Sequence, residues 1–184
     1  MFSRRSFLNY LLLLGAYSIR PEIATADTDV LAREGYIAPD FKLAGTNPTL
    51  PQKQYWELSE LKGKWVVLYF YPKDYTNGCT IEAKGFKDLN KDFQKQNALV
   101  VGISADSVEE HQSFCNDESL GFTLLSDNEG EVSKIYESWE APYSLRNTFL
   151  IDQAGILRHK WTNVRPFGHA KDVLSELKRL KQYV

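Results

Sequence analysis

The chain has 184 residues, of which 43% are hydrophobic and 25% are charged, and its formal net charge is −2. This length suits a single domain that buries its own core, and we find no internal repeat, low-complexity tract or second domain. Acidic and basic side chains are interspersed with a slight acidic excess, which argues against nucleic acid as a partner.

The first 26 residues have the three parts of an export signal. Arg4 and Arg5 form a basic start, an apolar run follows at residues 7–19, and residues 24–26 ("ATA") offer a small-residue cleavage site. The paired arginines resemble the twin-arginine type of signal, which exports already folded proteins. Because the apolar run is shorter than the ~20 residues that cross a bilayer, we predict cleavage after residue 26 rather than an uncleaved anchor.

Residues 27–184 are then the mature domain, which we expect not to insert stably into a membrane. Its net charge is near −4, because the leader carries three arginines and one glutamate. A twin-arginine leader is typical of the bacterial periplasm or the thylakoid lumen, and these are the locations we predict. An exported protein meets an oxidising compartment, where two cysteines can pair and stay paired.

Strand and helix patterns alternate along the mature chain. Residues 27–61 are irregular, with prolines and one short hairpin. Apolar β-rich runs and amphipathic stretches follow. The predicted elements are a strand at 65–71, a helix at 80–96, a strand at 98–104, a helix capped by Ser107, a strand at 122–127, a short helix at 131–136, strands at 147–152 and 156–161, and a helix at 169–184. This order predicts an α/β fold of three layers, with a central mixed β-sheet flanked by helices.

One of the two cysteines, Cys79, follows the strand at 65–71 and a short loop, and it lies at the start of the next predicted helix. Reactive groups of α/β proteins collect where strands end. The first turn of a helix has unpaired N–H groups and a positive dipole end, and both lower a cysteine pKa from its usual ~8.5. The small and polar neighbours of Cys79 favour a reactive thiol over an inert buried one.

The segment "FYPKDYTNGCTIE" resembles the active-site motif of peroxiredoxins, in particular of the peroxiredoxin Q or bacterioferritin comigratory protein group. The likeness continues in family order through "GISADS", "FTLLSD", "LRNTFLIDQAG" and "GHAKDVL", and so covers nearly the whole mature chain. It implies a thioredoxin-like fold. We expect no cofactor and, because the group is often monomeric, a monomer, although the sequence leaves the oligomeric state open. The likeness also implies reduction of hydrogen peroxide or organic hydroperoxides, with recycling by a thioredoxin-like donor.

The resemblance also implies roles for individual residues. Cys79, as a thiolate, would attack the terminal peroxide oxygen and become a sulfenic acid. The Thr76 hydroxyl would hydrogen-bond the peroxide and the thiolate. Pro72 would close the pocket, and a proline that simply ends the strand is equally compatible with the sequence. Arg146 would hold the thiolate and orient the peroxide, because a guanidinium stays charged and offers several fixed donors.

Two further residues are supporting candidates. Glu82 either organises Arg146 or is simply a first-turn acid that suits the helix dipole. The backbone N–H groups of Gly78 and Cys79 are candidate donors to a peroxide or leaving oxygen.

Many members of the group carry a second, resolving cysteine five positions after the first, where this chain has Lys84. The other cysteine here is Cys115, 36 residues after Cys79 in the second predicted helix, where a subset of the group places its resolving cysteine. The resemblance therefore implies a Cys79–Cys115 disulfide within one chain. Cys115 shares a helix face with Val108 and His111, so we expect it to be partly buried and the disulfide to need local unwinding. A structural Cys115 in a one-cysteine enzyme is the alternative.

Other site types fit the sequence less well. A disulfide oxidoreductase needs a second cysteine three positions after the first, where Glu82 stands. A metal site is not indicated, because His111, His159, His169 and the two cysteines lack ligand spacing. We interpret His169 as a helix cap or a surface residue.

A redox sensor or chaperone-like binding protein, which uses Cys79 as a switch without turnover, is the second functional hypothesis. A sensor would have less need of the Thr76 and Arg146 pair. The sequence therefore favours the peroxidase.

Overall fold

The structure is a computed structural model that describes residues 31–183; the predicted export signal at 1–26 lies outside them. Its strands are β1 (Lys42–Thr46), β2 (Tyr55–Glu57), β3 (Trp65–Phe70), β4 (Ala98–Ser104), β5 (Thr123–Ser126), β6 (Trp139–Glu140), β7 (Tyr143–Ser144), β8 (Asn147–Ile151) and β9 (Leu157–Trp161). Its α-helices are α1 (Asn77–Lys95), α2 (Val108–Glu118), α3 (Glu131–Ile135) and α4 (His169–Leu180).

Seven strands form one sheet in the order β2-β1-β5-β4-β3-β8-β9. The central strands β3, β4 and β5 are parallel, and the outer pairs are antiparallel. The sheet is therefore mixed, as predicted. The parallel centre needs helical crossovers, and α1 and α2 provide them.

The strand β3 is buried along its whole length because both faces of the sheet are covered. Its side chains at odd positions, together with Tyr71, belong to a core that includes residues of α1, α2 and α4. Its side chains at even positions belong to a second core with α3 and the segment that precedes β1. The three predicted layers are confirmed.

Most predicted elements are confirmed with shifted ends. The hairpin expected within residues 27–61 is the antiparallel pair β1 and β2. The helix α1 begins at Asn77, three residues earlier than predicted, so Cys79 lies inside its first turn. Ser107 caps α2 with a capping box: its hydroxyl accepts a hydrogen bond from the Glu110 N–H, and the Glu110 carboxylate accepts one from the Ser107 N–H.

The short hairpin of β6 and β7 was not predicted. Trp139 pairs with Ser144 across it, and a cis peptide bond joins Ala141 to Pro142 at its tip. Two-residue strands are too short for an alternating pattern to be read; the proline between aromatic residues is the signal that marks a turn here.

Within residues 31–183, no helix combines the length and the apolar character needed to cross a membrane.

Candidate active site

Cys79 is the third residue of α1, just beyond the carboxyl end of β3. Thr76 is the N-cap residue, and its carbonyl accepts the first helical hydrogen bond, from Thr80. The N–H groups of Gly78 and Cys79 precede that bond, so the helix gives them no acceptor and they are free to bind an oxygen atom at the site. Only 1% of Cys79 is exposed, so a small substrate fits it better than a large one.

The sheet register brings Arg146 to the same place. Asn147, the first residue of β8, pairs with Phe70, the last of β3, so the residue before β8 lies beside the loop that leads to α1. Arg146 Nη2 donates a hydrogen bond to Cys79 Sγ at 3.3 Å. Its Nη1 donates to Glu82 Oε2 at 2.5 Å. One guanidinium thus spans the sulfur and a carboxylate.

The Glu82 side chain is fully buried. Burial raises the pKa of Glu82 to about 7, although the neighbouring Arg146 charge opposes the rise. Burial by itself would lower the pKa of Arg146, but the negative charges of Glu82 and Cys79 outweigh it and raise that pKa. The guanidinium therefore remains charged beside the sulfur.

The loop between β3 and α1 supplies the other sequence candidates. Thr76 is exposed, and its hydroxyl donates to the Lys73 carbonyl at 3.1 Å. Pro72 and Arg146 line an open cavity of about 340 Å³, whose further wall is the β6–β7 hairpin. The structure thus brings Pro72 and Arg146 to one cavity, while the Thr76 hydroxyl at the N-cap of α1 is bonded to its own loop.

Gly78 gives the arginine its space. A Cβ atom at position 78 would lie 3.2 Å from Arg146 Nη2 and 3.4 Å from Pro166 Cγ. The first distance is tight for a carbon contact and the second is at the edge of the ordinary range, so a side chain here would require the guanidinium to shift by a few tenths of an ångström. The sequence indicated Gly78 only as a backbone N–H donor. The structure shows that its lack of a side chain also leaves space for the Arg146 guanidinium beside the sulfur.

Cys115 lies in α2 with none of its surface exposed, more buried than the sequence predicted. Both cysteines are free thiols in the structure. Burial, with a smaller effect from the Asp74 charge, raises the pKa of Cys115 to about 12. A thiol with such a pKa is protonated at neutral pH and is a poor nucleophile toward peroxide while its helix stays closed.

A buried polar cluster that sequence reasoning missed joins α2 to the active-site loop. His111 Nδ1 lies 2.7 Å from Asp74 Oδ2, and His111 Nε2 lies 3.1 Å from the Leu125 carbonyl. The Tyr71 hydroxyl donates to Asp74 Oδ1, and Asp106 accepts from the Asp74 N–H. A "YPKD" loop followed by a helical histidine was the available signal, but only the fold shows that they meet.

The same cluster bears on the expectation of no metal site, which considered only histidines and cysteines. Ligand atoms of Asp74, Asp106 and His111 lie within 4.8 Å of one another. Protein donors and acceptors occupy those atoms: His111 binds the Leu125 carbonyl and Asp74, and Asp106 accepts from Ser104. The cluster is therefore satisfied as a hydrogen-bond network of the protein alone.

The interpretation of His169 as a cap or surface residue is wrong. Gly168 is the N-cap of α4, with a φ of 82°, and His169 turns inward, where it is buried. His169 Nε2 lies 2.8 Å from Thr148 Oγ1, and the rings of Phe86 and Trp161 pack against its ring in T-shaped arrangements. Burial lowers the pKa of His169 to about 4, so it is a neutral part of the core.

Comparison with known proteins places this chain among proteins named peroxiredoxins. The family model described as "AhpC/TSA family" matches residues 35–160. A protein named putative peroxiredoxin bcp from Helicobacter pylori is 40% identical over 78% of this chain and 96% of its own length. The peroxiredoxin Bcp of Bacillus subtilis is 36% identical over 80% of this chain and 96% of its own length.

Solved structures agree with these relatives. Two structures of Xanthomonas campestris peroxiredoxin Q, each with one cysteine replaced by serine, match with a TM-score of 0.67 and 30% identity. They cover 74% of this chain and 97% and 98% of their own chains. The fold is thioredoxin-like, and the class it defines with these relatives is that of thiol-dependent peroxidases. The chain belongs to the AhpC/TSA family, within its peroxiredoxin Bcp and peroxiredoxin Q group.

Proposed function

We propose that Cys79 is the peroxidatic residue of this peroxidase and that its substrates are hydrogen peroxide and organic hydroperoxides. The contact that carries the proposal is the hydrogen bond from Arg146 Nη2 to Cys79 Sγ, 3.3 Å long. The thiolate attacks the terminal peroxide oxygen, the O–O bond breaks, and water or an alcohol leaves with the proton that the thiol gave up. Cys79 becomes a sulfenic acid.

The neighbouring groups assist this step. Arg146 stays charged, and its fork of donors both holds the sulfur and orients a peroxide that enters beside Pro72. The first-turn N–H groups of α1 donate to the peroxide oxygens, where negative charge develops as the O–O bond breaks. The Thr76 hydroxyl, which donates to the Lys73 carbonyl, accepts a hydrogen bond from the peroxide O–H. Glu82 positions Arg146 through the contact between Nη1 and Oε2.

The second step of the proposal is resolution by Cys115. The Cys115 thiol attacks the Cys79 sulfenic acid, a disulfide forms within one chain, and water leaves. A thioredoxin-like dithiol then reduces the disulfide and is itself oxidised. The cysteines replaced in the two Xanthomonas campestris structures are 36 residues apart, which is also the separation of Cys79 and Cys115.

Peroxide consumption with a dithiol reductant tests both steps. We expect Cys79→Ser to abolish turnover, and Cys115→Ser to keep the first oxidation but to lose the linked peptide that mass spectrometry detects without reduction. Full activity in Cys79→Ser would refute the peroxidase assignment of this cysteine. A single oxidation without turnover in the native protein would support the sensor hypothesis instead. A sulfinic Cys79 beside a free Cys115 would indicate a one-cysteine enzyme.

The proposal includes export and a role in antioxidant defence outside the cytoplasm. The support is the order of features in residues 1–26: paired arginines, an apolar run and a small-residue cleavage site. Fractionation of a bacterial host that expresses the full chain provides the test. We expect the shorter, processed protein in the periplasm, and retention in the cytoplasm after Arg4 and Arg5 are both replaced by lysine.

A further inference from the structure

Tyr75 links the active-site loop to the helix that carries Cys115. It lies in the loop between β3 and α1, directly before Thr76. Its ring meets the Phe114 ring edge to face, with centroids 5.0 Å apart. Its hydroxyl donates a hydrogen bond to Asp117 Oδ2 at 2.8 Å. The two α2 residues that it contacts flank Cys115 on either side, so one side chain bridges the loop and the last turns of α2.

The backbone of Tyr75 is left-handed, with φ at 60°. This conformation is unfavourable for a bulky side chain and persists only where other contacts compensate it. The Tyr75 side chain is 52% exposed, so general burial does not provide that compensation. Its contacts with Phe114 and Asp117 do, and they are lost if the end of α2 moves away.

Other contacts near the end of α2 fix it to α1 rather than to the loop. Lys84 forms an ion pair with Glu118 at 2.9 Å, and the Lys87 ammonium donates to the Glu118 carbonyl at 2.7 Å. The turns of α2 around Cys115 are therefore held from two sides, by α1 and by the active-site loop. Tyr75 supplies the loop's contacts with Phe114 and Asp117, on either side of Cys115. One turn earlier in α2, the buried His111 contacts Asp74 of the same loop.

We propose that Tyr75 is a positioning residue for the resolving step, which holds the Cys115 turn of α2 closed against the active-site loop and so limits how often Cys115 reaches oxidised Cys79. This inference rests on the proposed role of Cys115. Cys115 has none of its surface exposed, and Arg146 holds the Cys79 sulfur on another helix. The proposal therefore takes local opening of α2 to precede the bond.

The rate at which α2 opens determines which of two reactions consumes the Cys79 sulfenic acid. In the first, the Cys115 thiol attacks, the disulfide forms and water is released. In the second, another hydroperoxide oxidises the sulfenic acid to a sulfinic acid, and an alcohol or water is released. Because only the first fate needs α2 to open, a looser α2 favours the disulfide.

The test compares Tyr75→Phe, which removes the hydroxyl and keeps the ring, with Tyr55→Phe, a change at a similarly exposed tyrosine on β2. The reduced protein is mixed with hydrogen peroxide, quenched by alkylation and analysed by mass spectrometry. We expect Tyr75→Phe to form the Cys79–Cys115 peptide about fivefold faster, the factor expected for one lost hydrogen bond. The peroxide concentration that converts half of Cys79 to sulfinic acid rises by the same factor. Tyr55→Phe matches the native protein in both.

A second variant, Asp117→Ala, removes the acceptor. If the two residues act through their hydrogen bond, Tyr75→Phe combined with Asp117→Ala speeds disulfide formation no more than either change alone. General destabilisation would instead make the two effects multiply.

The possible failures are distinguishable. If the native protein forms no Cys79–Cys115 peptide, the proposed resolving step is wrong. If the native protein forms it and Tyr75→Phe forms it at the native rate, Cys115 resolves but Tyr75 does not position it. The inference is also overturned if Tyr75→Phe slows the first oxidation of Cys79 but leaves the ratio of disulfide to sulfinic acid unchanged.

Discussion

Arg146 contacts two acidic groups of α1 with one guanidinium: Nη2 lies 3.3 Å from Cys79 Sγ and Nη1 lies 2.5 Å from Glu82 Oε2. The arginine and the cysteine are 67 residues apart in the chain. They meet because β8, which follows Arg146, pairs antiparallel with β3, which leads to the loop before Cys79.

The fork of Arg146 predicts that lysine cannot replace it. An ammonium is a point charge and cannot hold the sulfur and the carboxylate in the same fixed geometry. We expect Arg146→Lys to slow the oxidation of Cys79 by peroxide by about 10²-fold to 10³-fold, the usual effect of losing one such donor. Rapid mixing with hydrogen peroxide measures this rate. Arg158→Lys is the matched control, because Arg158 pairs with Asp152 away from the site; equal losses in both variants would contradict the assigned role.

Gly78 and Gly85 form a matched pair on α1. A Cβ atom at Gly78 would meet Arg146 Nη2 at 3.2 Å, whereas one at Gly85 would meet only Ala170 Cβ at an ordinary 3.5 Å. We expect Gly78→Ala to slow Cys79 oxidation about tenfold, which corresponds to about 1.4 kcal/mol in the barrier. Gly85→Ala keeps the native rate and stabilises the fold by about 0.5–1 kcal/mol. Peroxide kinetics measure the oxidation rate of both variants, and denaturant unfolding measures their stability. A native oxidation rate in Gly78→Ala would show that a methyl group at this position does not displace Arg146.

Glu82 predicts a loss of stability as the pH rises. Burial raises its pKa from 4.5 to about 7 in the folded protein, so between these values the folded state binds more protons than the unfolded state. The free energy of unfolding therefore falls as pH rises from about 4.5 to about 7, by on the order of 3 kcal/mol. We expect Glu82→Gln to remove this fall, because glutamine does not ionise. Urea unfolding at several pH values measures it, with exposed Glu129→Gln as the control; an unchanged slope in Glu82→Gln would refute the burial argument.

His169 predicts the opposite slope over a lower pH range. Burial lowers its pKa from 6.5 to about 4, so the unfolded state binds more protons between these values. The stability that His169 contributes is complete above about pH 6.5 and is lost as pH falls toward 4. His169→Gln keeps a polar atom near Thr148 Oγ1 but does not titrate, so we expect a weaker loss of stability on acidification and about 1 kcal/mol lower stability at pH 7. Urea unfolding over the same pH series tests this. If His169→Gln loses as much free energy of unfolding on acidification as the native protein does, His169 is not the source of that loss.

The layered fold could be predicted from the sequence because its signals are local. The unbroken apolar run at β3 and the Ser107 cap at the start of α2 each lie within a few residues, and both appear in the structure. The position of Cys79 at a helix start was likewise readable from the strand and loop before it. The β6–β7 hairpin was not, because two-residue strands carry no period.

Long-range contacts were beyond such patterns. Arg146 was identified only through the family resemblance, since nothing near it in the sequence points to Cys79. The inward turn of His169 and the contact of His111 with Asp74 depend on which strands become neighbours in the sheet. The interpretation of Glu82 as a first-turn acid is wrong, because α1 begins at Asn77 and places Glu82 in its second turn, where its side chain is fully buried. The pKa of Glu82 depends on that burial.

Trapping of the sulfenic acid tests the central claim most directly. In Cys115→Ser, the Cys79 sulfenic acid has no resolving thiol and should persist long enough to react with dimedone, which mass spectrometry detects. We predict one adduct per chain, at Cys79, after one equivalent of peroxide, and none in Cys79→Ser. Consumption of peroxide at the native rate by Cys79→Ser, or an adduct formed elsewhere in place of Cys79, would contradict the account.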